Sequence, residues 1–243
     1  MNCRLSLERR YVAWLALVAT LLVASGQAQT VRPVIVEYKG PAKGRLELTN
    51  NSFQPTNVVI EPRSFTITED GDGVYGPLAA AIHLKLSAMS LRIPPKQSRY
   101  VFYEAKADAL PAWFVIYSVF AEPPRQSGLN IQLDLPHTVY LLQKERLERP
   151  DVTVESLNYQ PDKHRVVIMV VNKSAKLGRA LEWQVVSKGT KAGGSGFPLL
   201  PQSRRQLEVA WTATDPPDTF SIHFEHFSLK EDFGKEDFRA KQE

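Results

Sequence analysis

Along the chain, large apolar residues alternate with polar ones in short runs, and each run stops at a cluster of Pro, Gly, Asn or Asp. A period of two predicts half-buried β-strands, because successive side chains of a strand point to opposite faces. The cleanest run is Leu129-Asn-Ile131-Gln-Leu133-Asp-Leu135, closed by Pro136. It would align four aliphatics on one face and Asn130, Gln132 and Asp134 on the other. Ahead of it lie Val34–Val36, Arg45–Thr49, Asn57–Ile60, Ser64–Ile67, Leu84–Ile93, Arg99–Tyr103 and Ala112–Phe120, and Thr138–Leu142 continues it. About seven short strands within roughly 115 residues, with turn signals between them and no sustained helical period, predict an immunoglobulin-like sandwich. Asp70-Gly-Asp72-Gly73 reads as a hairpin turn, because the further oxygen ligands of a calcium loop do not follow it.

The segment Lys144–Pro150 is charged and ends in proline, which predicts a linker. The strand pattern then restarts at Val152–Leu157, His164–Val171, Leu181–Val186, Gln206–Trp211 and Thr219–Phe227, with Gly193-Gly-Ser-Gly196 as a flexible turn. The expected fold class is therefore all-β, two consecutive immunoglobulin-like β-sandwich domains, over residues 29–147 and 148–229. Each half has a strand ending in asparagine, at Asn50 and Asn172. Residues 230–243 form a charged tail with two Phe.

The N-terminus changes the picture. Arg4, Arg9 and Arg10 precede an apolar core from Trp14 to Ala24, and Gly26 and Ala28 stand where a small-residue cleavage site needs them. Residues 1–28 are expected to be an export signal cleaved near Ala28. The single cysteine, Cys3, lies within it, so the exported part has no thiol for disulfides, Cys-based zinc sites or Cys nucleophiles. The net charge of +4 is spread along the chain without a basic, aromatic-interleaved stripe, which argues against a nucleic-acid partner.

No nucleophile elbow, phosphate-cradling glycine loop or His-Glu-x-x-His pattern occurs. His223 and His226, three apart in an expected strand, would face opposite ways and cannot share a metal. The residues point to no enzyme, no metal and no cofactor.

The order of several segments resembles the PapD-like periplasmic chaperones of pilus assembly. Arg45-Leu-Glu-Leu-Thr-Asn-Asn51 is similar to the family's second strand and its Asn turn. Leu91-Arg-Ile-Pro-Pro-Lys-Gln-Ser98 resembles the turn before an alternating strand, and Leu110-Pro-Ala-Trp-Phe-Val-Ile-Tyr117 the approach to strand F1. Leu129–Leu142 resembles strand G1. In the second half, Val170-Val-Asn-Lys-Ser174 and Phe197-Pro-Leu-Leu-Pro-Gln-Ser203 resemble the corresponding turns.

The resemblance implies a chaperone that captures pilin-like subunits by donor-strand complementation. Leu129, Ile131, Leu133 and Leu135 of the G1-like strand 129–142 would fill the groove of an incomplete subunit. It further implies an outer-membrane usher as partner, a periplasmic location, no cofactor, and a self-capping homodimer as one way to protect the free strand. The family anchors a subunit carboxylate with an Arg and a Lys. Tyr140 stands at the Lys position, and Arg32 is the nearest candidate for the Arg. The alternative expectation is an exported two-domain immunoglobulin-like structural or adhesion protein that donates no strand, its aliphatic row packed into its own core.

Overall fold

The computed structural model describes residues 29–121, 132–213 and 215–234. The export signal with its cleavage site, Leu129, Ile131 and the tail from residue 235 lie outside them. Among the described residues the regular structure is β, apart from two 3-10 turns at Arg149–Asp151 and Pro161–Lys163.

Ten strands form the first sandwich: β1 (Thr30–Arg32), β2 (Ile35–Lys39), β3 (Ala42–Asn50), β4 (Thr56–Ile67), β5 (Gly73–Pro77), β6 (Ile82–Leu86), β7 (Ser90–Ile93), β8 (Gln97–Ala107), β9 (Ala112–Ala121) and β10 (Gln132–Leu142). One sheet has the order β1-β3-β8-β6. The other has the order β2-β10-β9-β4-β5, with β7 also paired to β4. Ten strands replace the expected seven or so partly because β1, which the alternation did not predict, precedes the expected first strand: β1 pairs antiparallel with β3, Pro33 interrupts the run, and β2 pairs parallel with β10. The chain therefore crosses between the two sheets within its first ten described residues. Leu46, Leu48, Ile60, Ile93, Phe114, Ile116 and Leu141 are fully buried between the sheets.

The second sandwich has seven strands: β11 (Val152–Gln160), β12 (Arg165–Asn172), β13 (Gly178–Ser187), β14 (Thr190–Leu199), β15 (Arg204–Ala210), β16 (Thr219–Phe224) and β17 (Ser228–Asp232). Its sheets run β11-β12-β15 and β14-β13-β16-β17 around Trp211, Phe220, Ile168, Leu199 and Ile222.

Three boundaries differ from the sequence reading. The glycine run is not a flexible turn but the middle of β14. A Cβ on Gly193 would sit 2.2 Å from the Trp183 carbonyl oxygen, so the close approach of β13 is what requires glycine. Leu147 of the charged linker is buried in the second core. β17 carries the second sandwich past residue 229, and Phe233 is buried in that core.

The paired asparagines do the same work in both halves. Asn50 is fully buried; its Nδ2 donates to the Gln54 and Ile93 carbonyls at 2.8 and 3.0 Å, and its Oδ1 accepts from the Ser52 N–H at 3.0 Å. Asn172, also fully buried, donates to Lys176 and Leu200 at 2.7 and 2.9 Å and accepts from the Ser174 N–H at 3.0 Å. Each ties a strand end to a turn two to four residues on and to the end of a distant strand, β7 at Ile93 or the residue after β14 at Leu200.

Candidate functional site

β10 places its odd-numbered side chains toward the first core. Val139, Leu141 and His137 are fully buried, while Leu133 and Leu135 are half-buried and packed against the same core at its rim. The other face begins with exposed Gln132 and Asp134, whose side chains bond at 2.9 Å. Leu129 and Ile131 fall outside the described residues.

The two edges of β10 differ in length of pairing. β9 covers it from Gln132 to Leu141, whereas β2 covers only Thr138 to Leu142. The outward bonds start with the Thr138 N–H donating to the Val34 carbonyl at 2.7 Å and end with Gly40 donating to the Leu142 carbonyl at 3.2 Å. Backbone polarity in a strand repeats every two residues, so the even positions face outward. Among the described residues, Gln132, Asp134 and Pro136 thus present backbone groups with no partner strand. Pro136 has no N–H, and it stands where an N–H would point away from the sheet, the place a strand tolerates proline.

Where pairing with β2 begins, a buried polar chain fixes β10. His137 Nδ1 lies 2.6 Å from the Pro33 carbonyl, Nε2 lies 3.0 Å from the Tyr103 hydroxyl, and that hydroxyl lies 3.1 Å from Tyr38 Oη. A carbonyl only accepts, so Nδ1 carries the proton, Nε2 accepts from Tyr103, and Tyr103 accepts from Tyr38. Burial lowers the His137 pKa from its ordinary 6.5, against the raising effect of the Pro33 bond. Burial and then the Tyr38 bond raise that of Tyr103.

The unfolded chain binds a proton that folded His137 resists, so its contribution to stability is complete above pH 6.5 and is lost as pH falls. Chemical denaturation of the full chain is expected to show stability falling below that point by up to about 1.4 kcal/mol per pH unit from this group. A His137→Gln variant should lose this increment of slope; an unchanged slope would remove His137 from the account.

Arg32 and Tyr140 are not brought together. Arg32 is exposed on β1, paired with Glu47 of β3 in the sheet that does not contain β10. Tyr140 pairs with Glu37 of β2 and is 3% exposed, edge-on to Phe65 in an apolar cluster that joins Phe65, Val115 and Tyr140 to Leu177 and Leu200 of the second sandwich. The cation beside Tyr140 is Arg179 of β13, 5.4 Å above its ring and bonded through Nε to Glu37 Oε1 at 2.7 Å. Burial raises the Tyr140 pKa, opposed by Arg179. Next to the pair, Lys39, Arg146, Leu177 and Leu181 line a cavity of about 270 Å³ between the sandwiches.

The sequence reading missed Arg179 and the role of His137. For His137 a signal existed: it continues the inward alternation of Leu133 and Leu135. For Arg179 none did, because its partners lie in the other sandwich. His223 bonds Ser228 and His226 pairs with Glu225, so these two histidines do not converge.

No family model matches the chain, and no curated protein matches it. Solved structures do. The Salmonella enterica SafA pilin in complex with the SafB chaperone matches with a TM-score of 0.54 at 10% identity, over 85% of this chain and 96% of that one. The class 5 fimbriae chaperone CfaA matches at 0.52 and 10%, over 84% and 98%. The chaperone DraB of E. coli matches at 0.51 and 14%, over 85% and 97%. The chain has the PapD-like chaperone fold. At these identities it is the fold that is shared, with both sandwiches and nearly the full length of each PapD-like chain included.

Proposed function

We propose that this protein is an exported, periplasmic chaperone that captures pilin-like subunits by lending them β10, and hands them to an outer-membrane usher for assembly. The observation that carries this reading is the free edge at Gln132–Pro136, flanked by the half-buried pair Leu133 and Leu135. An unpaired edge with an alternating aliphatic row is what β-augmentation uses: main-chain bonds give affinity, and alternate side chains fill pockets. Leu129 and Ile131 extend the same alternation in the sequence. No step requires a nucleotide, metal or catalytic group. Before a client arrives, pairing of two copies along this edge would protect it.

A terminal carboxylate of the client would find Tyr140 nearly buried and Arg179 already engaged by Glu37. We infer that any anchor at this point is weak and that affinity rests on the strand, since Arg32 sits on the sheet that does not carry Tyr140.

The second reading, an exported two-domain protein that donates no strand, is favoured by one fact: Leu133 and Leu135 already touch the protein's own core. Co-expression with a pilin-like subunit that lacks its final strand separates the two. The chaperone reading expects a stable one-to-one complex that dissociates when a peptide of the missing strand is added. Failure to co-purify with any such subunit encoded beside this chain would favour the second reading.

A further inference from the structure

The turn between β4 and β5 leaves the first sandwich and lands on β15 of the second. It is built to be rigid: Thr68 N–H donates to the Asp72 carbonyl at 2.9 Å, Gly71 N–H to Thr68 O at 3.0 Å, and Asp72 N–H to Thr68 Oγ1 at 3.0 Å. Its tip then makes a main-chain bond across the domains, from Gln206 N–H to the Glu69 carbonyl at 2.7 Å. Gln206 Nε2 donates to Asp70 Oδ1 at 3.1 Å, and Arg204 bridges Glu69 at 3.0 Å and Glu155 at 2.6 Å.

Arg205 occupies the space under the turn. Gly71 has φ +98, a backbone that favours glycine, and a Cβ there would lie 1.6 Å from Arg205 Nη1 and push the guanidinium aside. The guanidinium also lies 5.4 Å from the Phe197 ring centroid. Among the described residues its Nε and Nη1 are buried without a hydrogen-bond partner, and packing and the charges of Asp72 and Asp70 hold it.

Elsewhere the sandwiches are joined next to the linker, by the Arg179–Glu37 pair at 2.7 Å, by Gln143 Nε2 donating to the Leu177 carbonyl at 3.0 Å, and by an apolar patch. The cluster of Phe65, Val115, Tyr140, Leu177 and Leu200 is apolar and non-directional. It resists separation but does little to resist rotation. The side chains of the Arg204–Glu69 pair are 46% and 55% exposed, within reach of screening by salt.

We propose that the acidic tip Glu69–Gly73 is a salt-sensitive clasp that sets the angle between the two sandwiches about the apolar cluster and opens without unfolding either. A notch of about 180 Å³ lined by Phe65, Gly71, Tyr75, Thr138 and Tyr140 lies within the first sandwich beside the same turn and the paired half of β10. The clasp stands independently of whether β10 captures a subunit.

The test is a distance distribution between spin labels at Lys106 and Lys191, one exposed site on each sandwich, in the full chain with Cys3→Ser. At low salt one narrow distribution is expected. Gly71→Val should broaden it about twofold, and 1 M salt should move the unsubstituted clasp the same way. Calorimetry checks that both sandwiches remain folded. Should Gly71→Val fail to fold, Asp70→Ala with Arg204→Ala replaces it, with the same outcome expected. Distributions that coincide with that of the unsubstituted clasp at low salt would overturn the proposal.

Discussion

Replacing Leu133 and Leu135 together by glutamate is expected to reduce subunit capture by at least about 100-fold, or roughly 2.7 kcal/mol, while the protein stays folded. The two effects separate because the residues sit at the rim. In the free protein each is half-buried, so a charged head group there can still reach water, and the loss to folding is the part of the apolar area already covered, on the order of 1–2 kcal/mol each. In a captured subunit the same positions would be enclosed. A carboxylate without a partner in an apolar groove is far more costly than an exposed one, and two of them exceed what the strand's main-chain bonds recover. Titration of a purified subunit measures the first effect and calorimetry the second. Unchanged capture would show that the row does not touch the client. Loss of the folded state would show that the row belongs to the core, as the second reading holds.

Substitution of Asn50 by alanine is expected to destabilise the first sandwich by about 2–4 kcal/mol, because it strands the buried Ile93 carbonyl and frees the Asn50–Gln54 turn at once. For a domain of this size that is a fall in Tm on the order of 10 °C. Asn50→Asp keeps the acceptor for Ser52 but turns a buried carboxylate oxygen onto the Gln54, Ile93 and Pro94 carbonyls, so it should cost at least as much. Asn172→Ala should do the same to the second sandwich, through the Lys176 and Leu200 carbonyls. Calorimetry that resolves two transitions would see each variant move one of them. An Asn50→Ala protein with both transitions in place would refute the assignment.

What the residues disclose about the fold follows from which interactions are local. Alternation is a property of neighbours, so the strands around Arg45–Thr49, Arg99–Tyr103 and Ala112–Phe120 could be read directly, and Asn50 marked where the first of them ends. β14 could not be read so, since its glycines answer to the carbonyl of Trp183 on a neighbouring strand, and a glycine run by itself signals a turn. Leu147 looked like part of a charged linker because the core that buries it forms from later residues.

The candidate site divides the same way. The aliphatic face of the lending strand is written into its period of two. Three things depend on the fold: the short reach of β2 that leaves Gln132–Pro136 open among the described residues, the bonding of His137 to Pro33 and Tyr103, and the arrival of Arg179 at Tyr140. The expectation of Arg32 beside Tyr140 misjudged the crossing at Pro33, which puts Arg32 on the opposite sheet.

The central claim is that the outer edge of β10 is free until a subunit takes it, and amide hydrogen exchange reads that edge residue by residue. In the protein alone, the amides of Leu133 and Leu135 should be protected by β9 while that of Asp134 exchanges freely. On addition of a subunit lacking its last strand, Asp134 should become protected and Leu133 should change little. Asp134 exchanging equally fast with and without bound subunit would contradict the account.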